Sequence, residues 1–97
     1  MTAGPYSIGS DRWPGMSKVI EETGELGQVL GKLIATGGDP EHWDGSDLRE
    51  RLVDECGDVL AAVSFFAETN GILDAVELRA RRKIETFHQW HREQGTT

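Results

Sequence analysis

Two short acidic clusters are the residues of this chain best suited to chemistry. The first is Glu21-Glu22-Thr23-Gly24-Glu25, and the second is Asp54-Glu55-Cys56-Gly57-Asp58. In each, acids recur at i and i+3, which puts them on one face of a helix. Each helical residue turns about 100° from the last. On that wheel Glu22 falls between Val29 and Leu33, and Glu55 falls among Leu48, Leu52, Val59, Ala62 and Phe66. Glu25 and Asp58 lie at the edges of the same apolar stripes, while Glu21 and Asp54 fall on the polar sides. Two helices therefore carry the same interruption at the same relative angle.

An ionised carboxylate in an apolar interior is costly, and its escapes are protonation, pairing or metal binding. Few bases are placed to pair with these acids: Lys18 is the nearest inward one, and Arg51 lies at an edge. A divalent cation answers the problem directly. Oxygen-only ligands suit magnesium, manganese or calcium better than zinc or copper. Magnesium takes a few carboxylates, waters and substrate phosphates, which points to phosphoryl chemistry. The ligand loop of a calcium helix–loop–helix is missing. A carboxylate di-iron bundle needs paired Glu-x-x-His motifs, and only Glu85 to His88 fits one. A different class of reading stays open. Glu-rich helices are common, and ion pairs across an interface would make the chain a non-catalytic acidic interaction module.

The elements that must position these acids are helical. Met1 to Arg12 is small and polar without a period, and reads as an arm. Pro14 suits a first helical turn, and Ser17 suits the cap of a later start. A helical pattern covers Gly15 to Ala35, with Val19, Leu26, Val29, Leu30 and Leu33 on one side. Thr36 to Gly45 is a loop by its glycines, proline and Asp-Gly. Ser46 is the expected N-cap, with Asp47 in the first turn. The second helix runs to about Thr69 and ends at Asn70-Gly71. The third spans about Leu73 to Arg92, and Glu93 to Thr97 frays. No strand alternation appears.

The length of 97 residues fits one domain, 1–97, with a modest core. Apolar residues make up 37%, thin for a self-sufficient monomer, so association with further copies is expected. The net charge of −7 argues against nucleic acid and anionic membranes as partners. The single cysteine, Cys56, allows no intrachain disulfide and reads as a small buried hydrophobe in a helix. No apolar run approaches the roughly 18 residues of a membrane span. The first residues lack the basic start and apolar centre of a signal peptide. These features together suggest a cytoplasmic protein.

The pair Glu21-Glu22-x-x-Glu25 and Glu55-x-x-Asp58 resembles the MazG-type all-alpha nucleotide pyrophosphohydrolases. The likeness extends to the flanks, Lys18-Val-Ile-Glu-Glu-Thr-Gly-Glu-Leu26 and Asp54-Glu-Cys-Gly-Asp-Val-Leu60, and to the Asn70-Gly71-Ile72 joint. It covers about Gly15 to Phe87. The resemblance implies an all-α fold of three main helices per chain, whose four-helix-bundle-like core is completed by a homodimer or homotetramer. It implies hydrolysis of a nucleoside triphosphate between the α and β phosphates, giving a monophosphate and pyrophosphate, with nucleotide-pool cleansing as one role. By the same resemblance Glu22, Glu25, Glu55 and Asp58 are magnesium ligands, with manganese as a substitute. Glu21, Glu22 and Glu55 are then the catalytic acids, and Glu21 is placed to orient or activate water.

The chain departs from that family in two ways. The gap between Glu25 and Glu55 is long because of the loop from Thr36 to Gly45, which reads as a surface insertion in preference to a part of the substrate mouth. Gly24, Gly27, Gly31 and Gly57 stand in helix interiors, at about 1 kcal/mol each relative to alanine. Close helix approach, or room for metal and substrate, would offset that. The related phosphoribosyl-ATP pyrophosphohydrolases rank lower, because Val59-Leu60-Ala61-Ala62 stands where they carry a Tyr-His-type element.

The substrate-binding expectations follow. Lys83 borders the stripe of Val76, Ala80, Ile84 and Phe87, so it is expected to point partly inward, either meeting a triphosphate or else pairing with an inward carboxylate or snorkelling out to water. Arg79 lies further out, and Lys18 and Asn70 complete the polar set. Trp13 is the preferred aromatic to stack on a base. Trp43 and Trp90 are lesser candidates, Phe65, Phe66 and Phe87 read as packing, and His88 and His91 as surface or interface residues.

Overall fold

The computed structural model describes residues 4–41 and 44–95 of the chain. Trp43, the first three residues of the arm and the last two of the tail lie outside the described residues. The order is α1 (Met16–Ala35), α2 (Leu48–Thr69) and α3 (Leu73–Gly95). Among the described residues the extended pairing is an isolated antiparallel bridge between Glu41 and Asp47. No helix among them is long and apolar enough to cross a membrane.

The helix ends follow from local chemistry, with three departures from the sequence reading. Helix α1 has no side-chain cap, and Ser17 does not serve as one. Gly15 takes a left-handed φ of 88° there. The Gly15 amide donates to the Ser7 carbonyl at 3.1 Å, and the Ser17 amide donates to the Tyr6 carbonyl at 2.8 Å. Residues 4–15 are thus a chain of turns that caps α1 with backbone oxygen, rather than a loose arm. Asp47, not Ser46, is the N-cap of α2: its carboxylate accepts from the Arg49 and Glu50 amides at 2.9 and 3.3 Å. Helix α3 runs on to Gly95, past the expected end at Arg92.

Helices α1 and α2 stop by the same device. The Gly38 amide reaches back to the Leu33 carbonyl at 2.8 Å, and the Ile72 amide to Ala67 at 2.9 Å. The glycines that allow this turn, Gly37 and Gly71, have φ of 68° and 73°.

Helices α1 and α2 form an antiparallel pair, and the small core lies along their seam: Val29, Leu48, Ala62 and Ala67. Leu30, expected on the inner stripe, is 44% exposed. Helix α3 touches α2 only near the joint and buries none of its residues. The molecule measures 50 × 37 × 15 Å. Its thin dimension is little more than one helix, whose diameter is about 10–12 Å. The radius of gyration is 16.8 Å, against about 12.5 Å for a compact chain of this length. Domains are built from at least two packed layers, and this chain by itself makes one. Ile20, Ile34, Val53 and Leu60 stand on its open faces, each more than 60% exposed.

The helical glycines lie on open ground. A Cβ added at Gly24, Gly27, Gly31 or Gly57 would meet nothing within 4 Å. Within one chain, close helix approach does not explain them.

Candidate metal centre

Residues 22 and 25 sit a turn apart on α1, and residues 55 and 58 a turn apart on α2. Because the helices pack along the stripe these residues interrupt, their side chains meet at the seam. One carboxylate oxygen from each of Glu22, Glu25, Glu55 and Asp58 lies within 4.8 Å of all the others. The three glutamates are half-buried and Asp58 is exposed, so the cluster opens to solvent on the Asp58 side.

Two oxygens in the cluster are anomalous. Oε2 of Glu22 and Oε2 of Glu55 are shut off from solvent and have no hydrogen-bond partner. Buried polar atoms are almost always paired. The electrostatics agree. Loss of hydration, followed by the charges of Glu25 and Asp58, raises the Glu22 carboxyl above its ordinary value. The same causes raise Glu55, and the Arg51 guanidinium offsets them in part. A hard divalent cation fits this set: all donors are oxygens, two lack any partner, and the positive charge would remove the repulsion.

The remaining sequence candidates are distributed unevenly around this point. Glu21 lies on the exposed rim and pairs with Lys18, whose Nζ donates to the Glu21 carboxylate at 3.0 Å. That bond, with the nearby charges of Glu22 and Glu25, raises the Lys18 pKa. Both partners are about half exposed, so the pair contributes little to stability.

Lys18, Glu22 and Asp58 also line a cleft of about 300 Å³. Its other walls are Ile8 from the N-terminal turn and Ala61, Ala62 and Phe65 from α2.

Five expectations take a different form in the structure. Lys83 is exposed on α3, its Nζ 5.9 Å from the centre of the Phe87 ring. Arg79 is exposed on the same helix, and α3 does not reach the cluster within one chain. The wheel placed Lys83 relative to its own helix, but within the chain that stripe has no helix to face.

Asn70 is engaged as a structural clamp: its Nδ2 donates to the Pro14 carbonyl at 3.0 Å and the Phe66 carbonyl at 2.8 Å. Trp13 stacks on Phe66, with ring centres 6.1 Å apart and 27° between planes. Trp13 and Asn70 line a separate depression that shares no wall with the carboxylate cleft. Cys56 is exposed, not buried, because it points away from the α1–α2 seam.

Sequence reasoning missed Ile8 and Phe65. Phe65, a packing residue by its sequence pattern, is 41% exposed and walls the cleft. Its spacing from Asp58, two helical turns on the same side, was the available signal. Ile8 left no signal, because residues without a period give no direction for a side chain.

Comparison of the chain with protein-family models, with curated proteins and with solved structures finds no match.

Proposed function

We propose that this protein is a magnesium-dependent nucleotide pyrophosphohydrolase, converting a (deoxy)nucleoside triphosphate to the monophosphate and pyrophosphate. The observation that carries this reading is the pair of buried, unpartnered oxygens of Glu22 and Glu55 inside a four-carboxylate cluster. The sequence resemblance to MazG-type enzymes supplies the choice of reaction.

Glu22, Glu25, Glu55 and Asp58 would hold the metal. A divalent ion there supplies charge neutralisation for polyphosphate and a more acidic bound water. Manganese, with similar oxygen preference, would substitute. The carboxylates alone would repel a triphosphate, so the chain cannot bind one at this point without the cation.

Glu21 stands beside the cluster on the solvent side, where its carboxylate can accept a proton from an attacking water and orient it. Its partner Lys18 faces the same cleft as Glu22 and Asp58. An arriving phosphate would compete for the Lys18 ammonium and free Glu21 for that role. No covalent nucleophile is required. Water attacks the α phosphorus, and the bond to the bridging oxygen breaks, releasing pyrophosphate.

A second copy of the chain completes the body of the protein in this reading. One layer of helices with exposed apolar residues on both faces needs a further layer, and a homodimer or homotetramer supplies it. Lys83 and Arg79 would approach a substrate only from such a neighbouring copy.

The test is pyrophosphate release from a panel of canonical and damaged nucleoside triphosphates with magnesium. Turnover that vanishes with chelator and in Glu55→Gln is the expected result. Full activity of Glu55→Gln would remove the assignment. A non-catalytic acidic docking module would instead show no turnover, and a melting temperature governed by ionic strength rather than by magnesium.

A further inference from the structure

The cleft beside the cluster has a polar end and an apolar end, and the helix fixes the distance between them. Asp58, Ala61, Ala62 and Phe65 follow one another along a single side of α2. Seven residues of helix separate Asp58 from Phe65, a rise of about 10 Å. That is room for a phosphate, a pentose and one ring in sequence.

The two alanines leave the helix surface flat between the ends. Ile8, from the N-terminal turn, lines the same cleft. It is held there by the turn that caps α1, through the Ser7 and Tyr6 carbonyls, and by the Asn70 clamp on Pro14. Ile8 is 54% exposed, so its position is not explained by core packing.

We infer that this apolar end seats the organic part of the substrate, a nucleobase with its sugar, between Ile8 and Phe65. The inference rests on the triphosphate reading and adds to it where the base lies and how it is selected. The seat grips a flat ring by its faces. Among the described residues the cleft lining carries no amide, hydroxyl or imidazole side chain. Its charged groups, Lys18, Glu22 and Asp58, sit at the metal end. Strong discrimination between bases requires donors and acceptors placed against their edges. A cleft walled by isoleucine, alanine and phenylalanine therefore accepts the bases with similar affinity.

The test is equilibrium binding to the whole protein, in magnesium, of non-hydrolysable α,β-methylene analogues of the four deoxynucleoside triphosphates, beside inorganic tripolyphosphate. The analogues should bind about tenfold or more tighter than tripolyphosphate, and within about tenfold of one another. Ile8→Ala should weaken the analogues about five- to tenfold and leave tripolyphosphate unchanged. Phe65→Leu, which keeps an apolar side chain against Gly15, should do the same by removing the ring. Circular dichroism confirms that both variants fold.

Equal binding of nucleotide and tripolyphosphate, or Ile8→Ala and Phe65→Leu binding both ligands as wild type does, would overturn the seat and leave the triphosphate reading intact. A preference of about a hundredfold for one base would overturn selection by face contact. Failure of every ligand, tripolyphosphate included, would overturn the triphosphate reading and the seat with it.

Discussion

Glu22 and Glu55 face each other across the α1–α2 seam, each with its Oε2 buried and without a hydrogen-bond partner. Each is raised by loss of hydration and by the same two neighbours, Glu25 and Asp58. A metal-free chain thus holds these carboxylates at the expense of stability.

Replacing both with glutamine tests that cost. Glu22→Gln/Glu55→Gln removes two charges while keeping shape, so the metal-free variant should melt several degrees above the metal-free wild type. Millimolar magnesium should raise the wild type. At about a hundred times its dissociation constant, a ligand stabilises by about 2.7 kcal/mol. The variant should not respond. Differential scanning calorimetry with and without magnesium gives all four values, and a variant that still responds to magnesium would contradict the ligand set.

The pH dependence has a definite sign. The folded values of Glu22 and Glu55 lie above their ordinary ones, so the native state binds more protons than the unfolded state. Their contribution to stability therefore increases as pH falls through the raised folded values. It levels off in the ordinary carboxylate range, where the unfolded chain is protonated as well. From neutral pH down towards the ordinary carboxylate range, metal-free wild type should gain stability relative to the double glutamine variant. Urea denaturation of both proteins across that range reads the difference, and a constant gap would refute it.

The N-terminal turn should depend on Gly15. Its φ of 88° is unfavourable for any side chain, and an added Cβ would lie 3.0 Å from Phe65 Cδ1. Gly15→Ala should lower stability by about 1–3 kcal/mol. Asp47→Ala, which removes the α2 cap, should cost about 1 kcal/mol. The two differ in one further respect. Gly15→Ala disturbs the Ile8 wall and should also weaken nucleotide binding, whereas Asp47→Ala should not.

Helix α3 should respond to dilution. None of its 23 residues is fully buried within the chain, and most of a helix's stability in a protein comes from packing its apolar face. If neighbouring copies supply its packing, ellipticity at the helix minimum should fall as the protein is diluted through its dissociation range. Sedimentation should report the same midpoint. Ile84→Asp, on the apolar stripe of α3 and 52% exposed, should shift that midpoint to higher concentration. Helicity independent of concentration, with a sedimenting monomer, would show that α3 stands without a partner.

The sequence by itself determined the three helices and the meeting of the acids. Periodicity and stop signals such as Asn70-Gly71 are local properties, and they place Glu22 and Glu55 on inner stripes before any packing is known. The exposed position of Asp58 follows from the same angles. Only the tertiary structure decided what those faces meet. Whether Lys83 points at substrate depends on which helix lies opposite, and in one chain none does. Asn70 went to the Pro14 carbonyl because the preceding turn folds back on α2, a long-range contact that no local pattern encodes. Ile8 reached the cleft for the same reason. The wheel fixes angles around one axis, whereas a binding cleft depends on how separate segments are brought together.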